Sequence, residues 1–392
     1  MKIALIGPAH PYKGGGARHT TELAHRLAAA GHQVIIESWR AQYPARLYPG
    51  RQTVDVPDAE PYPRTRRRLA WYRPGGWLAE GRRLRAADLV IFALLTPLQV
   101  PPYLVILAAL GRRGKAPRTA VICHNVLPHE RRPGDIALTR ALLSRVGTVI
   151  THSAAQAAEA QGLAPGATVR TVAMPPHLPA TGQQDQGTER TGYRAPAQCV
   201  PVRAQRPLGT PQTPMAPNPL PFTRLLFFGI VRPYKGLDVL LNALAAAPAH
   251  VTLTVAGEFW GGTADTEKLI ADLGLAGRVT LRPGYVPADQ IPALFAAADA
   301  LVLPYREATA SQNALLAFAH GVPVITTTAG ALAEPVRDGV DGLTCAPGDP
   351  GDLLRALRAI SDPRTAQRLR AGVTPVDPEP GWADYLRVLL DG

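Results

Sequence analysis

Twice along this chain a series of short apolar runs alternates with loops and with alanine- and leucine-rich helical patterns. Unbroken apolar runs suit strands buried on both faces, and strand–helix alternation builds parallel sheets covered by helices. The first series predicts strands at 2–7, 33–38, 88–93, 118–123, 147–151 and 169–172. The second predicts strands at 224–229, 251–257, 278–282, 299–303, 323–326 and 342–345. Helices are expected at 16–30, where Leu23 and Leu27 share a face and Gly31 is the stop, and at 236–246 and 290–298. Two such series in 392 residues read as an α/β protein of two Rossmann-like lobes, each large enough for its own core.

Residues 178–221 separate the series. They are rich in Pro, Gln, Thr and Gly and show no apolar periodicity, so a disordered insertion is expected between an N-terminal lobe at 1–177 and a C-terminal lobe at 222–379. Residues 380–392 place Trp382, Tyr385, Leu386, Leu389 and Leu390 at helical spacing, the pattern of a short amphipathic helix.

The net charge of +12 is uneven, with 24 Lys and Arg against 10 Asp and Glu in residues 1–180. Such a field favours anionic partners: a phosphorylated substrate, an acidic lipid surface or nucleic acid. The stretch from Arg64 to Arg85 interleaves cations with Trp71, Tyr72 and Trp77, which fits a solvated loop over a cleft, an anionic membrane surface or stacking on nucleic acid. The absence of repeats and RNA-binding signatures argues against nucleic acid. Cys123, Cys199 and Cys345 are odd in number and widely spaced, and suggest neither disulfides nor a zinc cluster. No apolar run reaches the roughly 18–20 residues of a membrane span, and MKIALIG lacks a signal peptide's long apolar region. A cytoplasmic protein is expected, with peripheral contact at the inner face of the membrane as an option.

Four places carry chemistry. In LLFFGIVRPYKG, residues 225–236, Arg232 and Lys235 follow the end of a buried strand just before a helix, a ready seat for a diphosphate. Gly14, Gly15 and Gly16 permit unusual backbone angles and close approach of a ligand, and the following helix aims free N–H groups at the loop. His124 follows a buried strand, at the edge where open α/β sheets bind ligands, and its imidazole can hydrogen-bond a hydroxyl. In VLPYREATASQNALL, Glu307 and the backbone N–H groups near Ser311, Gln312 and Asn313 precede a helix.

These motifs resemble glycosyltransferase family 4, the group 1 glycosyl transferases of GT-B fold. PYKGGGARHTTELAHRLAAAGHQV is similar to the family's first loop and helix, HNVLPH to its sugar-contacting histidine loop, and LFFGIVRPYKG to its G-x-x-x-x-x-K-G element. The resemblance implies two Rossmann-like domains facing across a cleft, with the C-terminal helix crossing back to the first. It implies retaining transfer of a hexosyl unit from a nucleotide sugar to a polysaccharide, lipid-linked or small-molecule hydroxyl, without cofactor. Arg232 and Lys235 would clamp the leaving diphosphate, as a metal does in families with a D-x-D motif, which this chain lacks. Gly15 and Gly16 would approach the donor from the other lobe, and His124 and Glu307 would orient the sugar. Tyr285, in RPGYV, would flank the base, and Ser311 and Gln312 would meet the donor; His129 and Glu130 would shape the acceptor pocket. Glu334 matches a G-G-x-x-E stretch read mainly as structural. The family's second glutamate aligns with Leu316, which accepts no hydrogen bond, so a catalytically weak binding or partner subunit is the alternative.

Overall fold

Among the described residues, thirteen strands sort into two wholly parallel sheets. The computed structural model describes residues 1–44, 52–54, 57, 60–111, 116–128, 130–177, 223–308 and 311–391. The insertion expected at 178–221, with Cys199, and His129 lie outside the described residues.

The first lobe runs β1 (Lys2–Ile6), α1 (Gly15–Ala29), β2 (Gln33–Ala41), β3 (Thr65–Ala70), α2 (Pro74–Arg83), β4 (Leu89–Leu94), α3 (Val100–Leu110), β5 (Arg118–Cys123), α4 (Asp135–Leu143), β6 (Thr148–Thr151), α5 (Ala154–Leu163) and β7 (Val169–Thr171). The second runs β8 (Thr223–Phe228), α6 (Leu237–Ala245), β9 (Val251–Gly257), α7 (Ala264–Asp272), β10 (Val279–Pro283), α8 (Ile291–Ala296), β11 (Ala300–Leu303), α9 (Asn313–Ala319), β12 (Val324–Thr327), β13 (Gly342–Cys345), α10 (Pro350–Ile360) and α11 (Pro363–Gly372), and α12 (Pro378–Leu390) ends the described chain.

Strand order is β3-β2-β1-β4-β5-β6-β7 in one sheet and β10-β9-β8-β11-β12-β13 in the other. Each order reverses beside its first strand in sequence: β1 sits between β2 and β4, and β8 between β9 and β11. At such a reversal the flanking connections leave to opposite sides and open a crevice beyond the strand ends. Continuous burial along β4, LVIFAL, and along β11 and β12 explains why these apolar runs sit at sheet centres.

The stretch around Arg64 is not a loop. TRRRLA forms edge strand β3, paired with β2, and PGGWLAEGRR forms α2. Charged side chains on an edge strand blunt further pairing, which is why a run with three successive arginines escapes a strand reading. Trp77 is buried and donates from Nε1 to the Ala70 carbonyl at 2.7 Å, whereas Trp71 and Tyr72 stay 43% and 54% exposed.

Helix α12 lies on the first lobe. Trp382, Tyr385 and Leu389 join a buried cluster with Ile3, Leu5, Leu23 and Ile91. Trp382 Nε1 donates to the Pro176 carbonyl at 3.0 Å, and Arg118 and Arg170 donate to the carbonyls of Leu390 and Val388. The C-terminal helix thereby fills one face of a sheet that the N-terminal sequence leaves uncovered.

Candidate active site between the two sheets

The loops after β1 and β8, both at strand-order reversals, face each other across a cleft of about 420 Å³. Lys13, Gly14, Gly15, Gly16 and Glu130 line it from the first lobe, and Ile230, Arg232, Tyr234 and Trp260 from the second.

The three glycines have three different reasons to be glycine. Gly14 takes φ 93° as it starts α1, a region that favours residues without Cβ. A Cβ on Gly16 would stand 2.0 Å from Leu95 Cδ2, so Gly16 is set by packing. A Cβ on Gly15 would meet nothing within 4 Å, so Gly15 presents bare backbone to open space. Among the described residues no side chain caps α1, which leaves its first N–H groups available to an anion.

Arg232 lies within the cleft. Its guanidinium stacks on Trp260, 4.4 Å from the ring centre, and forms an ion pair with Glu130 of the opposite lobe. Lys13 forms a second cross-lobe ion pair, with Glu258, and its ammonium stands 5.3 Å from the Tyr285 ring centre. Lys235 is not among the residues lining the cleft. Its Nζ donates to Tyr305 Oη at 2.9 Å and sits 4.7 Å from that ring's centre. Burial opposes the ammonium, but the phenolic oxygens of Tyr305 and Tyr234 outweigh it, and the pKa is raised. Gly229 turns the chain at the strand end with φ 106°, a region that favours glycine, and Asn313 Nδ2 and Lys235 Nζ stand beside it at ordinary contact distance, 3.4 and 3.8 Å from where a Cβ would lie. Asn313 Nδ2 donates to the Phe228 carbonyl at 3.0 Å. Gly236, at φ 67°, packs against the Pro304 carbonyl where a Cβ would stand 2.0 Å away, so the loop's turn into α6 is fixed.

His124 directly follows β5, with its N–H donating to the Leu94 carbonyl at 3.0 Å. His124 as a residue is partly exposed, but its Nε2 is buried and has no hydrogen-bond partner among the described residues. Burial, then the neighbouring His152 and His177, push its pKa down to about 3, so the imidazole is neutral near pH 7. His124 belongs to a cluster invisible in the sequence. His19 on α1 is hydrogen-bonded with His177 Nε2 at 2.9 Å and with Tyr385 Oη of α12 at 3.1 Å. Its ring meets that of His124 edge-on at 5.0 Å, and His152 lies 5.9 Å from His124. The His177 N–H in turn donates to Gln312 Oε1 of the second lobe at 3.3 Å. Gln312 therefore links the lobes through its side chain. Ser311 Oγ accepts from the Asn313 N–H at 3.3 Å and caps that turn.

Tyr285 borders a separate cavity of about 150 Å³ beyond β9 and β10, with Ala256, Gly284, Val286 and Leu294. Glu307 is exposed and is not among the residues lining the cleft; its neighbour Arg306 is locked to Asp238 by two hydrogen bonds of 2.7 and 2.6 Å. Leu316 packs against the apolar cluster around Phe295 and Phe318. Lys13, Tyr234 and Trp260 line the cleft without having been singled out in the sequence: Lys13 and Tyr234 stand within the PYKGGG and LLFFGIVRPYKG strings, and only Trp260 becomes a neighbour through the sheet order alone.

Comparison with known proteins fits this geometry. The model of the family described as Glycosyltransferase Family 4 matches residues 13–173, and that of Glycosyl transferases group 1 matches residues 223–362. A D-inositol 3-phosphate glycosyltransferase of Catenulispora acidiphila is 33% identical over 179 residues, 42% of each chain. One from Thermomonospora curvata is 35% identical over 179 residues, 43% of this chain and 41% of that one. The chain thus matches less than half the length of these curated relatives. Among solved structures, sucrose-phosphate synthase of Thermosynechococcus elongatus superposes with TM-score 0.70 at 18% identity, over 100% of this chain and 98% of that one. Anabaena HepE, solved with UDP and glucose, superposes with TM-score 0.68 at 16% identity over the full length of both. Two parallel α/β domains facing across a cleft define a GT-B fold. The chain belongs to glycosyltransferase family 4, the group 1 glycosyl transferases.

Proposed function

We propose that this protein transfers a hexosyl unit from a nucleoside diphosphate sugar to an acceptor hydroxyl, with retention at the anomeric carbon. The observation that carries the reading is the convergence of two strand-end loops on one cleft, Gly14–Gly15–Gly16 from one lobe and Arg232 from the other, with Lys235 behind Gly229. HepE, which shares the fold, was solved with UDP and glucose.

In this reading the diphosphate enters between the glycine loop and Arg232. Arg232 leaves Glu130 for the phosphates, and the cations hold the charge that develops as the glycosidic bond breaks. These cations do the work a metal does elsewhere. Open backbone at Gly15 and the free N–H groups of α1 approach the same phosphates. His124, neutral, offers Nε2 to a sugar hydroxyl and orients the ring rather than supplying a charge. The base occupies the cavity beside Tyr285, and Glu307 reaches the sugar when its loop closes. The leaving phosphate takes the acceptor's proton. The arginine-rich N-terminal lobe, with exposed Trp71 and Tyr72, contacts an anionic membrane that holds or surrounds the acceptor. Among the described residues no helix is long and apolar enough to cross a membrane.

The deciding experiment incubates the full chain with a panel of nucleoside diphosphate sugars and follows nucleotide release by NMR, with and without EDTA. One donor should turn over slowly even without acceptor, at a rate EDTA leaves unchanged, and product formed with cell-extracted acceptors should keep the donor's anomeric configuration. Tight binding of a donor with no turnover, acceptors included, would instead establish a binding subunit, in keeping with Leu316.

A further inference from the structure

A second cavity, of about 540 Å³, lies in the first lobe between β1, β2 and the helix α2. Lys2 and Gln33, the first residues of β1 and β2, line it, so it runs toward the sheet edge opposite the cleft. Two glutamates line its wall, Glu37 of β2 and Glu80 of α2, and both are buried, with side chains 1% exposed. Neither carboxylate oxygen of Glu37 has a hydrogen-bond partner among the described residues, nor has Glu80 Oε1. Arg66 Nη1 stands 3.5 Å from Glu37 Oε1, and Arg83 Nη1 donates to Glu80 Oε2 at 2.8 Å. Both arginine side chains are about half exposed, and with Arg64 and Lys2 they form a cationic mouth.

A buried carboxylate without donors is costly, and two side by side repel. Burial, and then the charge of Glu80, push the Glu37 carboxyl up to about 7. A core that only needed filling would hold apolar residues at these positions. Ionised, these carboxylates only accept hydrogen bonds and call for donors, best a cation, whose charge would hold Glu37 in its ionised form. Four cations at the mouth repel a simple polyamine and attract an anion.

We propose that this cavity binds a small zwitterion, with its ammonium group between Glu37 and Glu80 and its phosphate or carboxylate at Lys2, Arg64, Arg66 and Arg83. The ligand is separate from the sugar donor, because the cavity shares no lining residue with the cleft. The inference does not depend on the transferase reading.

Isothermal titration calorimetry on the full chain tests it with glucosamine 6-phosphate and O-phosphoserine, which separate an aminosugar source from an amino-acid source. At least one should bind with Kd of about 1 mM or tighter. Removing the ammonium, as in glucose 6-phosphate, or the anion, as in glucosamine, should weaken binding at least ~10-fold. Glu37→Gln and Arg66→Ser should each do the same, while Arg232→Ala in the cleft leaves it unchanged. Arg66 is exposed, so its variant reports on binding even if Glu37→Gln alters the melting temperature. The proposal falls if neither zwitterion binds at about 10 mM. It falls equally if glucose 6-phosphate binds as well as its amino analogue, or if Arg66→Ser retains full affinity.

Discussion

Lys235 and Arg232 lie three positions apart in one loop yet occupy different chemical settings. Arg232 is in the cleft and already paired across it, whereas Lys235 is bonded to Tyr305 behind Gly229. Lys235→Ala removes a cation held without room to reorganise, so kcat/KM should fall at least ~10²-fold, about 3 kcal/mol. A rate unchanged in steady-state assays would remove Lys235 from the clamp. In the proposed function Glu130 competes with the donor for Arg232. Its pair is partly exposed and worth at most about 1 kcal/mol, so Glu130→Gln should tighten nucleotide binding by up to about five-fold in a direct titration. Gly15 and Gly16 make a matched pair. Gly16→Ala drives a methyl into Leu95 and should lower the melting temperature. Gly15→Ala meets no protein atom and should leave melting intact while raising the donor KM. Equal effects of the two on stability and KM would contradict the distinction. Sequence alone marks all three glycines as loop residues and cannot say which one faces the ligand, because that depends on where Leu95 arrives from β4.

At the scale of elements, β5, β9 and β13 occupy the spans expected of them, because short runs of apolar and β-branched residues with a turn at each end are legible locally. β3 escaped for the opposite reason: it is an edge strand whose arginines face solvent and whose partner, β2, lies 24 or more residues away. The helical spacing of Trp382, Tyr385 and Leu389 is plain in the sequence, but only the fold shows that they cover β1 and α1. That burial makes α12 a structural part of the first lobe. Trp382→Ala should cost about 3–5 kcal/mol in chemical denaturation, through lost burial and the cavity left behind. A cost below about 1 kcal/mol would show that α12 is only loosely docked.

Among the described residues, polar links across the cleft include Lys13 with Glu258, Glu130 with Arg232, and the His177 N–H with Gln312. Near the last of these sits the histidine cluster, which joins α1, β5, β6, the segment after β7 and α12. Burial is the leading cause that pushes His124 and His177 down to about 3 and His152 to about 4, and His19 also well below its ordinary value. The unfolded chain therefore binds protons that the folded chain refuses. Stability is fully present above about pH 6.5 and falls as the pH drops toward 3–4, with a limiting slope of about 1.4 kcal/mol per pH unit for each histidine. Glu37, raised to about 7, acts in the opposite sense: its contribution is present below its unfolded value and is lost as pH rises through 7. Four groups outweigh one, so urea unfolding should show a marked loss of stability between pH 6.5 and 5. His152→Gln should flatten that slope; a stability flat over this range would mean that the cluster is hydrated and titrates freely.

Local chemistry settled what local chemistry can settle. Apolar runs and glycine stops define the alternation of strands and helices, and with it two parallel sheets; the glycine triplet and the Arg232–Lys235 loop stand out as candidates for the anion seat proposed above, because backbone freedom and fixed charge are properties of a few adjacent residues. Which residues share a pocket was decided by strand order. The reversals at β1 and β8 set Lys13 against Glu258 and Glu130 against Arg232, and the placing of α2 by β2 brings a pair of glutamates 43 positions apart into one cavity. Contacts between distant parts of a chain depend on how whole sheets twist and pack, and no short window of sequence holds that information.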